Sequence, residues 1–266
     1  MEEPLQIQEP APETPSTPGM SLGGRLFNVF ATPGDVFQEV KTAKDSAANW
    51  LVPALILIVV SWACSVWIFS QDSIKHQISE ITDKAIQQQV DSGHLTEQQA
   101  EQGRMAGEKW ASISSKIAAG VLPVFAGFLY PFIWGLILWL VGAKVLKGDF
   151  PYMKAVEVAG LGNMILVLDT VVKTLLIVGL GNVYASPSLI LLVKEFDPQN
   201  TVHGLLGIVN VMTFWLLAVR AIGMARLGSL SMAKAVAWVF GIWAAYTGFL
   251  VSLSFLAQSL AKRFAG

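Results

Sequence analysis

Asp169 and Lys173 stand four residues apart inside Val158 to Leu180, a stretch with no other charged residue. An ionised group at membrane depth costs on the order of 3 kcal/mol, so such residues carry either a function or a partner. A spacing of four puts both on one helix face, where carboxylate and ammonium can pair. The functional reading is a proton or ion relay, or a switch. The structural reading is an internal salt bridge that locks one helix into a bundle. A relay needs polar groups converging from several helices, and the other apolar runs offer mainly Asn210, Thr213 and a few serines. Asp169, Lys173 and Asn210 are thus the candidate intramembrane polar site, with the structural reading preferred.

Other chemistry is hard to find. His76, His94 and His203 lie in separate segments, without the His-x-x-x-His or Cys-His spacing of a zinc site. Cys64, the single cysteine, sits in an apolar run with no intrachain disulfide partner and no thiolate-stabilising neighbour. Gly179-x-Gly181 opens like a dinucleotide fingerprint, but Tyr184 fills the third small position and no βαβ pattern surrounds it. No phosphate-binding loop, His-Glu-x-x-His or Gly-x-Ser-x-Gly pattern occurs. The formal net charge of −1 and the lack of a basic patch argue against nucleic acid. No catalytic constellation, metal or cofactor is expected.

The elements that carry these residues are shaped by lipid. Ile117 to Ala143, Ala47 to Gln71, Ala235 to Ala261 and Thr201 to Val219 contain no Asp, Glu, Lys or Arg. About 20 apolar residues suffice to cross the hydrocarbon core. Charged residues make up only 14% of the chain, against about 25% in soluble domains. The expected fold is all-α: a polytopic transmembrane bundle of five spans, about 49–70, 117–143, 158–180, 202–224 and 235–260, with an extramembrane helical hairpin over 72–116.

Residues 1–20 form an acidic, Pro-rich tail that cannot bury enough apolar surface to order itself. The start Met1-Glu2-Glu3 lacks the basic-then-apolar pattern of a secretory leader, so the first span is expected to act as its own insertion signal. In 21–46, Leu22, Leu26, Phe27 and Phe30 form one apolar group. Thr32 and Pro33 then open a helix with Val36, Phe37 and Val40 on one face, suited to the membrane interface. In the hairpin, Ile74, Ile78, Ile81 and Ala85 make an apolar seam, Ser92-Gly93 breaks it, and Thr96 with Gln99 reads as a capping box. The third span could instead occupy 174–193, but Gly179, Gly181, Asn182 and Ser186-Pro187-Ser188 read as turns.

Gly120, Gly127, Gly135 and Gly142 recur at seven, eight and seven, within about 80° of one another on a helix, and Gly241 and Gly248 repeat the spacing. Small residues on one face let a second helix approach closely. For orientation, Lys144, Lys147 and Lys154 cluster in 144–157 and Arg220, Arg226 and Lys234 in 220–234, whereas 181–200 holds only Lys194. The positive-inside rule then places the N-terminus in the cytoplasm, and the hairpin and C-terminus outside.

Ala31-Thr32-Pro33-Gly34-Asp35-Val36-Phe37-Gln38-Glu39-Val40 resembles the opening of the Ypt-interacting-protein (Yip) membrane family in its bacterial branch. Asn210-Val211-Met212-Thr213-Phe214-Trp215, then Gly223 and Ser231 to Ala235, is similar to that family's Asp-Leu-Phe-Thr-x-Trp run with its following glycine and Ser-x-x-Lys-Ala stretch. Lys234 and Ala235 fit; Asn210 replaces an acid and Met212 a phenylalanine. The resemblance, over residues 28–258, implies five spans, a cytoplasmic N-terminus and, for the bacterial branch, the cytoplasmic membrane. Eukaryotic members are tied to Rab-type GTPases, but their Asp-Leu-Tyr-Gly-Pro signature is absent and that link does not transfer. The expected function is non-enzymatic: association, within the lipid bilayer, with a membrane-protein partner, a second copy or lipid. The rival is a small transporter or channel built on Asp169 and Lys173.

Overall fold

The computed structural model describes residues 19–194, 196–197 and 200–264, so the proline-rich tail reading lies almost wholly outside the described residues. Helices fill nearly all of it, and no strand occurs among the described residues. Five are long and apolar enough to cross a membrane: Ala48–Ser70, Leu122–Val145, Tyr152–Leu180, Val211–Gly228 and Met232–Leu256. Lipid offers the backbone no hydrogen bonds, so each crossing run must satisfy its N–H and C=O groups internally as helix.

Two short helices precede the first span. α1 (Leu22–Ala31) is capped by the Ser21 hydroxyl, which accepts from Gly24 N–H. α2 (Pro33–Thr42) starts with Thr32 at the cap position and Pro33 at the first helical position. Val29, Val36, Phe37 and Val40 are fully buried. The face of α2 that would suit the membrane interface is covered by protein, chiefly α10 (Val211–Gly228) and also α7 (Tyr152–Gly162).

The first span, α3 (Ala48–Ser70), leads into the extramembrane hairpin of α4 (Asp72–Asp91) and α5 (Glu97–Gly120). Gly93, at φ 74°, makes the turn, and Thr96 with Gln99 forms the reciprocal capping box. α6 (Leu122–Trp139) carries Pro123 at its start, and its last turn widens into a π-helical segment, Leu140–Val145. The indole of Trp62 donates to the Gly120 carbonyl at 3.0 Å, satisfying an acceptor at the α5–α6 junction.

The third crossing helix is longer than the apolar run predicts. It begins at Tyr152 and is interrupted once, at Asn163, between α7 and α8 (Met164–Leu180). It can start earlier because Lys154 and Glu157 are neutralised inside the protein rather than held in a loop. It ends at Gly181, whose left-handed φ of 60° terminates α8. α7 is the centre of the bundle: every residue from Lys154 to Gly162 is buried, against α6, α3 and α10.

The fourth crossing helix also differs from the apolar run. Residues 201–208 form a separate helix, α9 (Thr201–Ile208), and the span is α10 alone. Asn210 makes the break, because its side chain accepts from the N–H groups of Met212 and Thr213 at 2.8 and 3.3 Å and caps α10. α11 (Met232–Phe264) follows and packs on α10.

Candidate functional site

The densest polar chemistry lies where α1, α2, α3 and α7 meet. Lys154 and Glu157, three residues apart, share one face of α7, and their side chains are 6% and 1% exposed. The Lys154 ammonium donates to Glu157 Oε1 at 3.1 Å and to the Ala43 carbonyl at 2.9 Å, and lies 3.1 Å from Asp45. Glu157 Oε2 accepts from Asn49 Nδ2 at 2.5 Å, and Oε1 from the Ser46 N–H at 3.3 Å. Asn49 Oδ1 in turn accepts from Arg25 at 3.3 Å, and Arg25 pairs with Glu39 at 2.7 Å. One continuous network thus ties the two N-terminal helices to the first and third spans. Burial of a charge is tolerated where its lone pairs and protons are matched, as they are around Glu157.

Deeper in the bundle sits Arg220 of α10, 2% exposed. The charge count over 220–234 treats it as a loop residue; the structure places it inside the span. Its Nη2 donates to Asn163 Oδ1 at 3.3 Å, and the guanidinium lies over Trp134, 4.0 Å from the ring centroid. Arg220 Nε and Asn163 Nδ2 are buried donors with no protein acceptor.

The sequence-derived polar site does not assemble as one unit. Asp169 lines a cleft of about 190 Å³ with Ser61, Tyr130 and Thr170, and its Oδ1 is buried without a hydrogen-bond donor. Lys173 is exposed, and among the described residues no ion pair within 4.0 Å joins the two. Asn210 is engaged as the α10 cap. Sequence reasoning missed the Lys154–Glu157 and Arg220–Asn163 groups. The available signal was Glu157 itself, an acid followed directly by an apolar run, together with Arg220 amid Val219, Ala221 and Ile222.

The glycines divide by surroundings. Gly127 lies against Ala54 and Ile58 of α3, Gly135 against the backbone of Val156, and Gly142 against Phe150 and Met224. Gly120, Gly241 and Gly248 have no such neighbour within 4 Å. Two close approaches come from other glycines. A Cβ on Gly160 would run into Trp50 Cα and Cβ and stand 2.9 Å from the Asn49 carbonyl oxygen; one on Gly223 would run into Val158.

On the far side of the bundle, the hairpin docks on the segment after α8: the Val183 N–H donates to Gln77 at 2.8 Å, and Tyr184 packs on Phe196 at 4.5 Å between centroids. Burial, then the nearby Asp197, pushes the Tyr184 phenol pKa up.

In comparison with known proteins, the family model described as Yip1 domain matches residues 27–254, from α1 into α11. No curated protein and no solved structure matches the chain.

Proposed function

Since the chain belongs to the Yip1-domain family, as a match over residues 27–254 shows, we propose that it is a non-enzymatic membrane protein whose work is association within the bilayer. The observation that carries this reading is α11. Only 6% of its apolar window is buried, against 50% for α10. Its exposed side chains include Trp238, Tyr246, Phe249 and Leu253, with Gly241 and Gly248 open beside them. A helix tethered along one side, with small residues free, is arranged for a second helix to approach. The partner is another membrane protein or a second copy of this chain.

The resemblance to the bacterial branch supports a cytoplasmic-membrane location, and Lys144, Lys147, Arg226 and Lys234, the cations of the counted clusters that are not buried in the bundle, support N-terminal helices in the cytoplasm and the end of α11 outside. Ala43, Lys147 and Ser229 then share the inner face. Domain boundaries follow the same reading: the tail over 1–20, the docked segment over 21–46 and the five-span unit over 47–262.

Both parts are checked in a Cys64→Ser background. A photo-crosslinking residue at Gly248 is expected to capture one dominant species from native membranes, and a cysteine at Ser259 to react with an impermeant thiol reagent only from outside. A ladder of unrelated products would remove the association reading, and labelling of Ser259→Cys from the cytoplasmic side would reverse the orientation.

One observation favours a second reading, a small transporter or channel. Asp169, whose buried Oδ1 has no donor, lines a cleft that also holds Ser61, Tyr130 and Thr170. On that reading, vesicles containing the protein show a proton or cation flux that Asp169→Ala abolishes. Equal flux in protein-free vesicles would end it.

A further inference from the structure

Arg220 poses a charge problem that the chain does not solve. It is buried in a crossing helix near the Tyr130 phenol of α6, and the two carboxylates on α7 and α8 belong elsewhere. Glu157 is committed to Lys154 and Asn49. Asp169 lies six residues beyond Asn163, about 9 Å further along the helix and about 120° around it. No carboxylate pairs with Arg220 among the described residues. Its partners are the neutral Asn163 oxygen and the face of Trp134. What remains is a surplus of donors: Arg220 Nε and Asn163 Nδ2, both buried and unmatched. The interruption at Asn163 adds to it, because α8 starts there and the Asn163 side chain, occupied by Arg220, caps none of its N–H groups. The first N–H groups of a helix lack intrahelical acceptors and present partial positive charge. In membrane proteins, interrupted helices direct such ends at anions.

We propose that the Arg220–Asn163 junction binds a small monovalent anion of the halide class. Size selects the class. Asn163 is fully buried and Arg220 is 2% exposed, so the junction is closed on every side. Such closure excludes a phosphate or an organic acid, whereas a single-atom anion needs only to meet the guanidinium and carboxamide donors. The anion supplies the missing charge and accepts from the guanidinium, the carboxamide and the start of α8. It thereby braces α8 against α10 and α6. This inference is independent of the association reading.

The test uses the full-length protein in neutral detergent, melted in sodium chloride or bromide and in sodium gluconate at equal ionic strength. Halide is expected to raise the melting temperature by on the order of 3 °C, through binding to the folded state alone. Arg220→Gln should remove the difference. Asn163→Asp should remove it too, while folding normally, because it places a carboxylate beside Arg220; it should melt as high in gluconate as the parent does in chloride. Equal melting of the parent in all three salts, as expected if water alone satisfies these donors, overturns the proposal. A halide response that persists in Asn163→Asp also overturns it, by assigning the effect to the surface.

Discussion

Glu157→Ala is expected to destabilise the folded protein by about 3–5 kcal/mol, the cost of removing one member of a buried, hydrogen-bonded charge pair. The loss has three parts. The Lys154 ammonium keeps only the Ala43 carbonyl and the exposed Asp45, Asn49 Nδ2 loses its 2.5 Å acceptor, and the Ser46 N–H is left unpaired. These groups come from the connection between α2 and α3, so the damage is local to the docking of the N-terminal helices. Val29, Val36, Phe37 and Val40 stay buried and resist complete release, each worth about 1.5–3 kcal/mol. The expected phenotype is therefore a bundle that still forms but melts earlier, with faster proteolysis between Ala43 and Ala47. Glu157→Gln keeps an acceptor for Asn49 and should cost less. Unfolding in mixed micelles with limited proteolysis measures both effects. A Glu157→Ala protein within 1 kcal/mol of the parent would show that the network adds nothing net.

Gly160→Ala is expected to be the most damaging single-methyl addition among the glycines of the spans. Between membrane helices lipid tails are as apolar as leucine, so packing, not water release, holds the spans together. At Gly160 the added carbon meets Trp50 main chain and the Asn49 carbonyl, which cannot rotate aside. α3 must move away from α7, and Asn49 moves with it, out of reach of Glu157. Overpacking of this kind costs about 1–3 kcal/mol before the hydrogen bond is counted. At Gly223 the obstacle is a methyl of Val158, fully buried and stiff at χ1, so Gly223→Ala should also be costly, but less than Gly160→Ala because no main chain and no hydrogen bond has to move. Gly241→Ala and Gly248→Ala meet nothing and should be neutral, or stabilising by up to about 1 kcal/mol through helix propensity. Melting temperatures of the four variants give the ranking. A Gly160→Ala melting point equal to that of Gly241→Ala would refute the close-packing account.

Glycine spacing alone does not produce this ranking. A repeat of seven and eight marks Gly120, Gly127, Gly135 and Gly142 as one face, but it cannot say where along that face a neighbour lies. Gly127, Gly135 and Gly142 meet α3, Val156 and Met224, while Gly120 lies beyond the crossing. Gly160 belongs to no repeat, and only the arrival of Trp50 from a distant part of the chain gives it meaning. The polar residues behave alike. A spacing of four shows that Asp169 and Lys173 share a side of α8, yet not that Asp169 turns toward a cleft while Lys173 lies exposed.

What the sequence determined by itself is whatever local chemistry and the solvent dictate. Charge-free runs become crossing helices because lipid leaves the backbone no other partner. Thr96 and Gln99 cap α5 because their atoms are within reach along the chain, and Pro33 opens α2 because its φ suits a first turn. What only the tertiary structure decided is which charges enter the interior. Lys154 and Arg220 read as inner-face loop charges, since an unpaired cation is excluded from hydrocarbon. Asn49, brought to Glu157 across 108 residues, changes that balance for Lys154, and Asn163 with Trp134, brought to Arg220, change it in part. The compensation for a buried charge is a sum over neighbours distant in sequence, and the folded bundle alone sets which neighbours those are.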